Sequence, residues 1–247
     1  MNFNTELNHF RHPKEIKLES NTSGNGFKQH NRRNQFNPYE LNGGNVLAVA
    51  NGKSVILAGD TRLSRDYSIL KRDATKIHKL TENTYILSAG AYADIINLWK
   101  EMDQKIELYE LNHQETMSSA AIASLLSRQL YGRRFFPYYA FNLIVGFDKE
   151  GNAQVWNYDA VGSYENVNQS AQGLGSQYLE PLLDNQLVAY NNIEKPGKLT
   201  DDQVEEFVVD AFQSCAEREI TTGDGLEVLV LRKEGVVKQK LYPLRSD

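Results

Sequence analysis

Cysteine is nearly absent from the 247-residue sequence, which contains Cys215 alone. A disulfide within the chain is therefore excluded, and the composition fits a reducing compartment. Long apolar runs are also missing, because no stretch approaches the roughly 18 residues of a membrane-spanning helix, and the first 30 residues lack the apolar core of a signal peptide. We therefore expect no membrane partner. We also predict no cofactor and no metal site, since His9, His12 and His30 lie in a polar segment without metal-ligand spacing.

An excess of positive charge is missing too, since the net charge is -5. We therefore expect no nucleic-acid partner. The charge is uneven: residues 1–44 hold six basic and four acidic residues, and the remainder holds 21 and 28. Residues 1–34 are rich in Asn, His, Ser and Gly without a sustained apolar period, which predicts a flexible N-terminal extension. Residues 35–247 are long enough to form one folded domain with a substantial core.

Apolar periodicity divides residues 35–247 into alternating groups of strands and helices. The clearest element is a hairpin of residues 46–50 and 54–59, joined by Asn51-Gly52, because both of these residues tolerate positive φ. Further strands are predicted at residues 84–88, 139–147, 153–158, 226–232 and 236–242, and helices near residues 95–109, 115–132, 176–190 and 201–219.

The helix boundaries carry their own signals. Gly132 is a candidate C-terminal cap of the second helix, and Thr200 with Gln203 forms a candidate capping box for the last one. Two sheets stacked face to face, each covered outside by helices, would bury every apolar face. The sequence therefore predicts an α+β fold built as a four-layer αββα sandwich.

The segment from residue 43 to residue 76 carries the strongest functional signal. The second strand of the first hairpin leads into Asp60, Thr61 and Arg62, and Lys76 follows. No Ser, Thr or Cys occurs between Gln35 and Gly52. This arrangement resembles the start of a proteasome β subunit, a branch of the N-terminal nucleophile hydrolases.

Five further segments carry the same resemblance along the chain. They are residues 35–39 (QFNPY), 130–139 (LYGRRFFPYY), 161–165 (VGSYE), 183–186 (LDNQ) and 223–227 (GDGLE). In this order they resemble the non-catalytic class of eukaryotic β subunit that occupies the sixth position of the β ring. The match covers residues 35–247.

The resemblance implies a site without its nucleophile. In active members an N-terminal threonine attacks the scissile carbonyl, its own α-amine acts as base, and a lysine and an aspartate support it. Alignment on Asp60 puts Gly44 at the nucleophile position, and Asp60 and Lys76 at the supporting positions. Gly90 matches the glycine that stabilises the oxyanion, and Glu219 stands where active members carry aspartate. We therefore expect that the protein is not an enzyme.

The resemblance also implies the assembly. We expect a structural subunit of the 20S core particle in cytoplasm and nucleus, which degrades proteins, ubiquitinated ones included, by an ATP-dependent pathway when capped. The partners of this obligate hetero-oligomer would be other β subunits in the ring, α-ring subunits and the opposite β ring. The extension would be a propeptide cut between Asn34 and Gln35. Asp148 and Glu150, on the hairpin loop 148–152, are candidates for lining a neighbour's substrate pocket.

Alternatives remain open at this point. The chain could be an active amidohydrolase or threonine protease of the same fold, or a free-standing binding module. Asp60 and Lys76 could serve catalysis or form a structural ion pair. Residues 133–139 mix arginines with aromatic residues, a composition found in single-strand nucleic-acid binding. A subunit contact is the favoured interpretation, because Tyr, Phe and Arg are enriched in interface cores.

Overall fold

The computed structural model describes residues 39–188 and 199–247. The predicted extension of residues 1–34, the cleavage positions Asn34 and Gln35, and the histidines at positions 9, 12 and 30 lie outside the described residues. The division into an extension and a folded domain therefore stays a prediction.

Strands make up the centre of the described structure. Their bounds are β1 Asn45–Asn51, β2 Ser54–Asp60, β3 Leu63–Arg65, β4 Ser68–Lys71, β5 Ile77–Lys79, β6 Tyr85–Gly90, β7 Ala140–Phe147, β8 Ala153–Tyr158, β9 Tyr164–Val167, β10 Gln169–Gly173, β11 Gly225–Arg232 and β12 Gly235–Pro243. One antiparallel sheet has the order β10-β1-β2-β11-β12, and a second has the order β5-β6-β7-β8-β9. Strands β3 and β4 form a separate hairpin.

Alternation along the strands explains why the two sheets stack. In β1, Val46 and Ala48 face the second sheet, whereas Leu47 and Val49 face away from it, towards helices. In β7, Leu143 faces the first sheet and Ile144 faces the opposite way. Because both faces of each sheet are apolar, each must be covered on both sides.

Helices supply the two outer layers. Their bounds are α1 Tyr92–His113, α2 Ser119–Tyr131, α3 Ser176–Leu183 and α4 Asp201–Ala216, with a π-helical turn at Asp184–Val188. The first two helices pack on the second sheet, and the last two pack on the first sheet. The predicted four-layer αββα architecture is therefore confirmed. No helix in the described ranges is both long and apolar enough to cross a membrane.

The predicted capping box at the start of α4 is present. The amide of Gln203 donates to the Thr200 hydroxyl (3.3 Å), and the amide of Thr200 donates to the Gln203 side chain (2.9 Å). Behind it, Val208, Phe212 and Cys215 are buried against the first sheet. The cysteine is thus a core residue.

Several short or polar strands escaped the sequence analysis. Strands β9 and β10 have the sequences YENV and QSAQG, which show no apolar alternation. Strand β10 forms because its backbone pairs with β1, and β9 because its backbone pairs with β8. The helix predicted near 176–190 is α3 followed by the π-helical turn that ends at Val188, and the helix predicted near 201–219 is shorter than expected, since α4 ends at Ala216.

One glycine assignment needs correction, and a second is confirmed with a different conformation. Asn51 pairs with Ser54, so the two loop residues of the first hairpin are Gly52 and Lys53 rather than Asn51 and Gly52. Only Gly52 has positive φ (+66°), which is the pattern of a type II′ turn. Gly132 does cap α2, but with a right-handed φ of -58° that any residue can adopt.

These conformations predict opposite effects for two matched substitutions. Gly52→Ala should destabilise the protein by about 1 kcal/mol, because a side chain is strained in the left-handed region and no neighbour is in the way. Gly132→Ala should be neutral or stabilising by up to about 1 kcal/mol, because it only restricts the unfolded chain. Urea unfolding of both variants measures the difference. Equal effects would contradict the assigned turn.

Candidate functional site

The antiparallel pairing of β1 and β2 brings the predicted site residues together. Strand β1 begins at Asn45, directly after Gly44, and β2 ends at Asp60 on the neighbouring strand. Lys76 precedes β5, the edge strand of the second sheet. Asp60 and Lys76 are almost fully buried, at 0% and 3% exposure.

Lys76 is enclosed by oxygen atoms. Its Nζ donates to the backbone carbonyls of Asp60 (2.6 Å) and Arg62 (2.7 Å), and it lies 3.3 Å from Asp60 Oδ1. An ammonium group carries three protons, and three oxygens receive them here. The lysine therefore joins the end of β2 to the segment that enters β5.

Asp60 fixes the start of β1. Its Oδ1 accepts a hydrogen bond from the Asn45 amide (2.6 Å), and its Oδ2 accepts one from the Gly223 amide (3.4 Å). Burial raises the pKa of Asp60 and lowers the pKa of Lys76, while the charge of each group opposes the shift of the other. The pair is a buried ion pair held by backbone groups on both sides.

Gly44 has no room for a side chain. Its φ is +79°, and a Cβ there would lie 2.1 Å from Lys76 Cε and 2.6 Å from Lys76 Nζ. The space in which a nucleophilic side chain would begin is therefore filled by Lys76. Glycine is the residue that this backbone conformation and this contact permit.

Asn45 follows as a buried strut rather than a reactive group. Its Oδ1 accepts from the Gly175 amide (2.6 Å), and its Nδ2 donates to the Thr222 hydroxyl. The side chain is fully buried, and it joins the β10–α3 turn to the segment before β11. Local sequence pattern does not indicate this role, because both partners are more than a hundred residues away.

Gly90 reaches the same place from the second sheet. It lines a cavity of about 240 Å³ together with Leu41, Gly44 and Tyr139. Its φ is +128°, and a Cβ there would lie 2.4 Å from the Tyr139 carbonyl oxygen. The structure thus brings the predicted Gly90 and Gly44 to one cleft.

Glu219 contacts the site through one intermediate residue. Its carboxylate accepts hydrogen bonds from the Thr221 amide (3.1 Å) and hydroxyl (2.9 Å). The Thr221 hydroxyl oxygen in turn accepts from the Gly44 amide at 3.4 Å. Glu219 therefore orients Thr221, which the sequence analysis did not single out.

Asn42 is a further residue that the sequence analysis missed. Its amide donates to the Gly90 carbonyl (3.1 Å), and its side chain donates to the Ser64 carbonyl (3.1 Å) and accepts from the Tyr92 amide (2.8 Å). The chain before Gly44 is thereby attached to the second sheet, to the β3–β4 hairpin and to the start of α1. The nitrogen of residue 44 is a peptide nitrogen in this chain, so it supplies no free amine.

Comparison with known sequences places this geometry in a family. The model of the family described as proteasome subunit matches residues 40–231. The chain belongs to the proteasome subunit family. It is 45% identical over 215 residues to proteasome subunit beta type-1 of Danio rerio, which covers 86% of this chain and 90% of that protein. It is 43% identical over 217 residues to the Arabidopsis thaliana protein of the same name (86% and 97%), and 44% identical over 216 residues to the Dictyostelium discoideum one (86% and 91%).

Membership in the proteasome family confirms the resemblance that the residues indicated.

Asp148 and Glu150 lie on the loop between β7 and β8. The Asp148 carboxylate accepts hydrogen bonds from the Asn152 side chain and from the Asn152 backbone amide, both at 2.8 Å. These hydrogen bonds lower the pKa of Asp148. The loop lies beside the β1–β2 turn, since the Ala153 amide donates to the Gly52 carbonyl.

The β1–β2 turn is at the far end of β1 from Gly44, about 26 Å away at the rise of a strand. The role of Asp148 and Glu150 in a neighbouring pocket stays a prediction.

The contact between position 44 and Lys76 predicts a large effect of a single methyl group. Gly44→Ala should destabilise the protein by about 3 kcal/mol, because strain at positive φ adds to overlap with a buried lysine. Gly52→Ala is the matched control, since it has a similar φ and open space. Urea unfolding should show the Gly44 variant to be the less stable by about 2 kcal/mol; two equal losses would disprove the contact.

The buried pair predicts a pH-dependent loss of stability when the lysine is removed. Lys76→Met should cost about 4 kcal/mol at neutral pH, because it leaves Asp60 charged and buried without a partner. In this variant the folded-state pKa of Asp60 is raised above its unfolded value. The loss is therefore largest above that raised pKa and shrinks as the pH falls towards about 4.

The double variant Asp60→Asn/Lys76→Met is the control for this interpretation. It removes both charges, so it should recover at least half of the lost stability and show a flatter pH dependence. Urea unfolding at several pH values measures both variants. A double variant as unstable and as pH-dependent as Lys76→Met alone would exclude the ion-pair explanation.

Proposed function

We propose that this chain is a non-catalytic structural β subunit of the 20S proteasome core particle. The observation that carries the proposal is Gly44, at the position of the nucleophile, with Lys76 occupying the adjacent space. The supporting groups Asp60, Lys76 and Gly90 are assembled around a position that has no group to activate. The relatives named proteasome subunit beta type-1 support the assignment.

Three threonine hydroxyl groups near the cleft do not replace the missing nucleophile. Thr61 donates its hydroxyl proton to the Arg72 carbonyl at 2.7 Å, and Thr222 accepts from Asn45. Thr221 is engaged by Glu219 and Gly44, and it is not among the residues that line the cavity. None of them begins a chain, so none has an α-amine beside it as a base. These contacts argue against the alternative of an active amidohydrolase or threonine protease.

The role that remains is to hold other subunits in place. We propose as partners the neighbouring β subunits of the ring, α-ring subunits and the opposite β ring, in cytoplasm and nucleus. We propose that the chain serves the ATP- and ubiquitin-dependent pathway of this particle, on the basis of the same family relationship. A free-standing binding module would elute from gel filtration near the 28.1 kDa of the single chain, whereas an assembled subunit would elute with the full barrel.

The missing nucleophile predicts the response to covalent inhibitors. In purified 20S particles a threonine-directed covalent inhibitor should label the active subunits, which serve as the internal control, and leave this chain unmodified. Gly44→Thr should also stay unlabelled, because Lys76 fills the side-chain space and residue 44 has no free amine. Intact-mass analysis of each subunit measures the outcome. An inhibitor adduct on the wild-type chain would refute a non-catalytic role, whereas an adduct on Gly44→Thr alone would contradict only the claim that Lys76 excludes a side chain at position 44.

The proposal also predicts how the N-terminal extension is removed. Gly44 cannot cut the preceding bond, so an active neighbour should cut between Asn34 and Gln35 and leave residues 35–43 attached. The hydrogen bonds of Asn42 favour retention of this arm. N-terminal sequencing of the chain from assembled particles should begin at Gln35. Particles whose neighbouring nucleophiles are substituted should keep the extension; a start at Gly44 or Asn45, or an uncut chain in normal particles, would contradict the prediction.

A further inference from the structure

The turn between α2 and β7 presents aromatic rings to solvent. Phe135 is 97% exposed, Phe136 60% and Tyr131 57%. The turn is nevertheless held by backbone hydrogen bonds, from Arg134 to the Tyr131 carbonyl and from Phe136 to the Arg133 carbonyl, each 3.0 Å. Tyr131, Arg134, Phe135 and Phe136 are called the aromatic knob below. Contiguous exposed rings of this kind mark interaction surfaces.

The two arginines of the turn have different surroundings. Arg133 lies over the Tyr138 ring, with its guanidinium carbon 4.4 Å from the ring centroid, and it pairs with Glu101 at 3.5 Å. The same carboxylate accepts the Tyr138 hydroxyl at 2.8 Å. Arg133 therefore has a ring and a carboxylate, both supplied by this chain.

Arg134 lies near two aromatic rings but pairs with no carboxylate in the described part of the chain. Its guanidinium carbon lies 5.5 Å from the Tyr131 centroid and 6.0 Å from that of Phe135, and it donates to the Tyr131 hydroxyl at 2.9 Å. Within the described part of the chain it forms no ion pair. Arg133, one residue earlier, contacts both a ring and a carboxylate, whereas Arg134 contacts rings and a hydroxyl.

The aromatic knob lies at the same end of the molecule as the Gly44 cleft. The Phe136 ring stacks on Tyr39 at 5.7 Å, and Tyr39 contacts Tyr139 at 5.5 Å. Tyr139 contacts Phe141 edge to face, and both line the cleft. This row of rings fixes the position of the knob against the body of the subunit.

Nucleic acid fits this surface poorly. Of the basic and aromatic residues at positions 133–139, Tyr138 is only 5% exposed and Arg133 is neutralised by Glu101. One unpaired arginine remains, whereas single-strand binding needs a groove of positive charge along the backbone. The exposed rings and the single guanidinium instead fit a compact protein pocket.

We propose that the aromatic knob inserts into an apolar pocket of an adjacent proteasome subunit, and that a carboxylate of that subunit pairs with Arg134. The inference rests on the proposed function, because the partner is another subunit of the same particle. Phe135 supplies the apolar anchor, and Arg134 fixes the orientation through a planar, bidentate ion pair.

Competitive incorporation tests the two residues. A tagged variant and the wild-type chain are expressed together, particles are purified through a different subunit, and the ratio of the two chains is measured by mass spectrometry. Phe135→Ser and Arg134→Glu should each lower incorporation at least tenfold, and Arg134→Lys should fall between them and wild type. Leu111→Ser is the matched control, since Leu111 is 72% exposed at the other end of the helix pair; it should incorporate at the wild-type ratio.

Photo-crosslinking identifies the pocket without relying on a loss of assembly. A benzophenone side chain at position 135 should crosslink to one adjacent subunit, close to an Asp or Glu. Neutralising that acid should lower incorporation of the wild-type chain as much as Arg134→Gln does, and the two changes together should add nothing further.

Three results would overturn the proposal while leaving the proposed function intact. They are wild-type incorporation of the Phe135 and Arg134 variants, the absence of a crosslink to any subunit in correctly assembled particles, and Arg134-dependent binding of fluorescent oligo(dT). Absence of this chain from purified 20S particles is a different result, because it would refute the proposed function and the knob proposal together.

Discussion

The buried ion pair of Lys76 and Asp60 is the interaction on which the rest of the site depends. Two opposite charges without access to water must be satisfied by each other and by nearby dipoles. Here those dipoles are the backbone carbonyls that receive Lys76 and the amides that reach Asp60. As a result the start of β1, the end of β2 and the approach to β5 are fixed relative to one another. The pair joins the two sheets at the end where the cleft opens.

The same ion pair also restricts which residue can occupy position 44. In a catalytic site of this family the lysine supports a threonine side chain. In this chain its methylene and ammonium groups lie where that side chain would begin. The backbone at Gly43 and Gly44 has positive φ, which lets the chain pass the lysine and reach Asn42. A side chain at position 44 would therefore require both the local backbone and Lys76 to move.

The sequence predicted the features that depend on local pattern. The apolar faces of α1 and α4, the capping box at Thr200 and the first hairpin all follow from spacing over a few residues. Gly44, Asp60 and Lys76 were located through the resemblance to proteasome β subunits, by alignment on Asp60. Strands β9 and β10 could not be found, because their polar residues pair through the backbone at sheet edges. Asn42, Asn45 and Thr221 were missed for a related reason: their partners are distant in sequence.

The aromatic knob illustrates how a non-catalytic subunit can still select one neighbouring subunit. Exposed rings alone would adhere to any apolar surface, and they would not select one neighbour among homologous subunits. An arginine held between two rings changes this, because burying its charge against a partner without an acid is costly. The turn thus rejects apolar surfaces that lack a carboxylate and accepts the one that supplies it. Because the row of rings from Phe136 to Phe141 ends at the cleft, a partner seated on the knob also fixes the wall of the empty site. In this proposal, the surface formed by the knob and the cleft contributes to assembly, whereas in catalytic relatives the cleft binds the substrate.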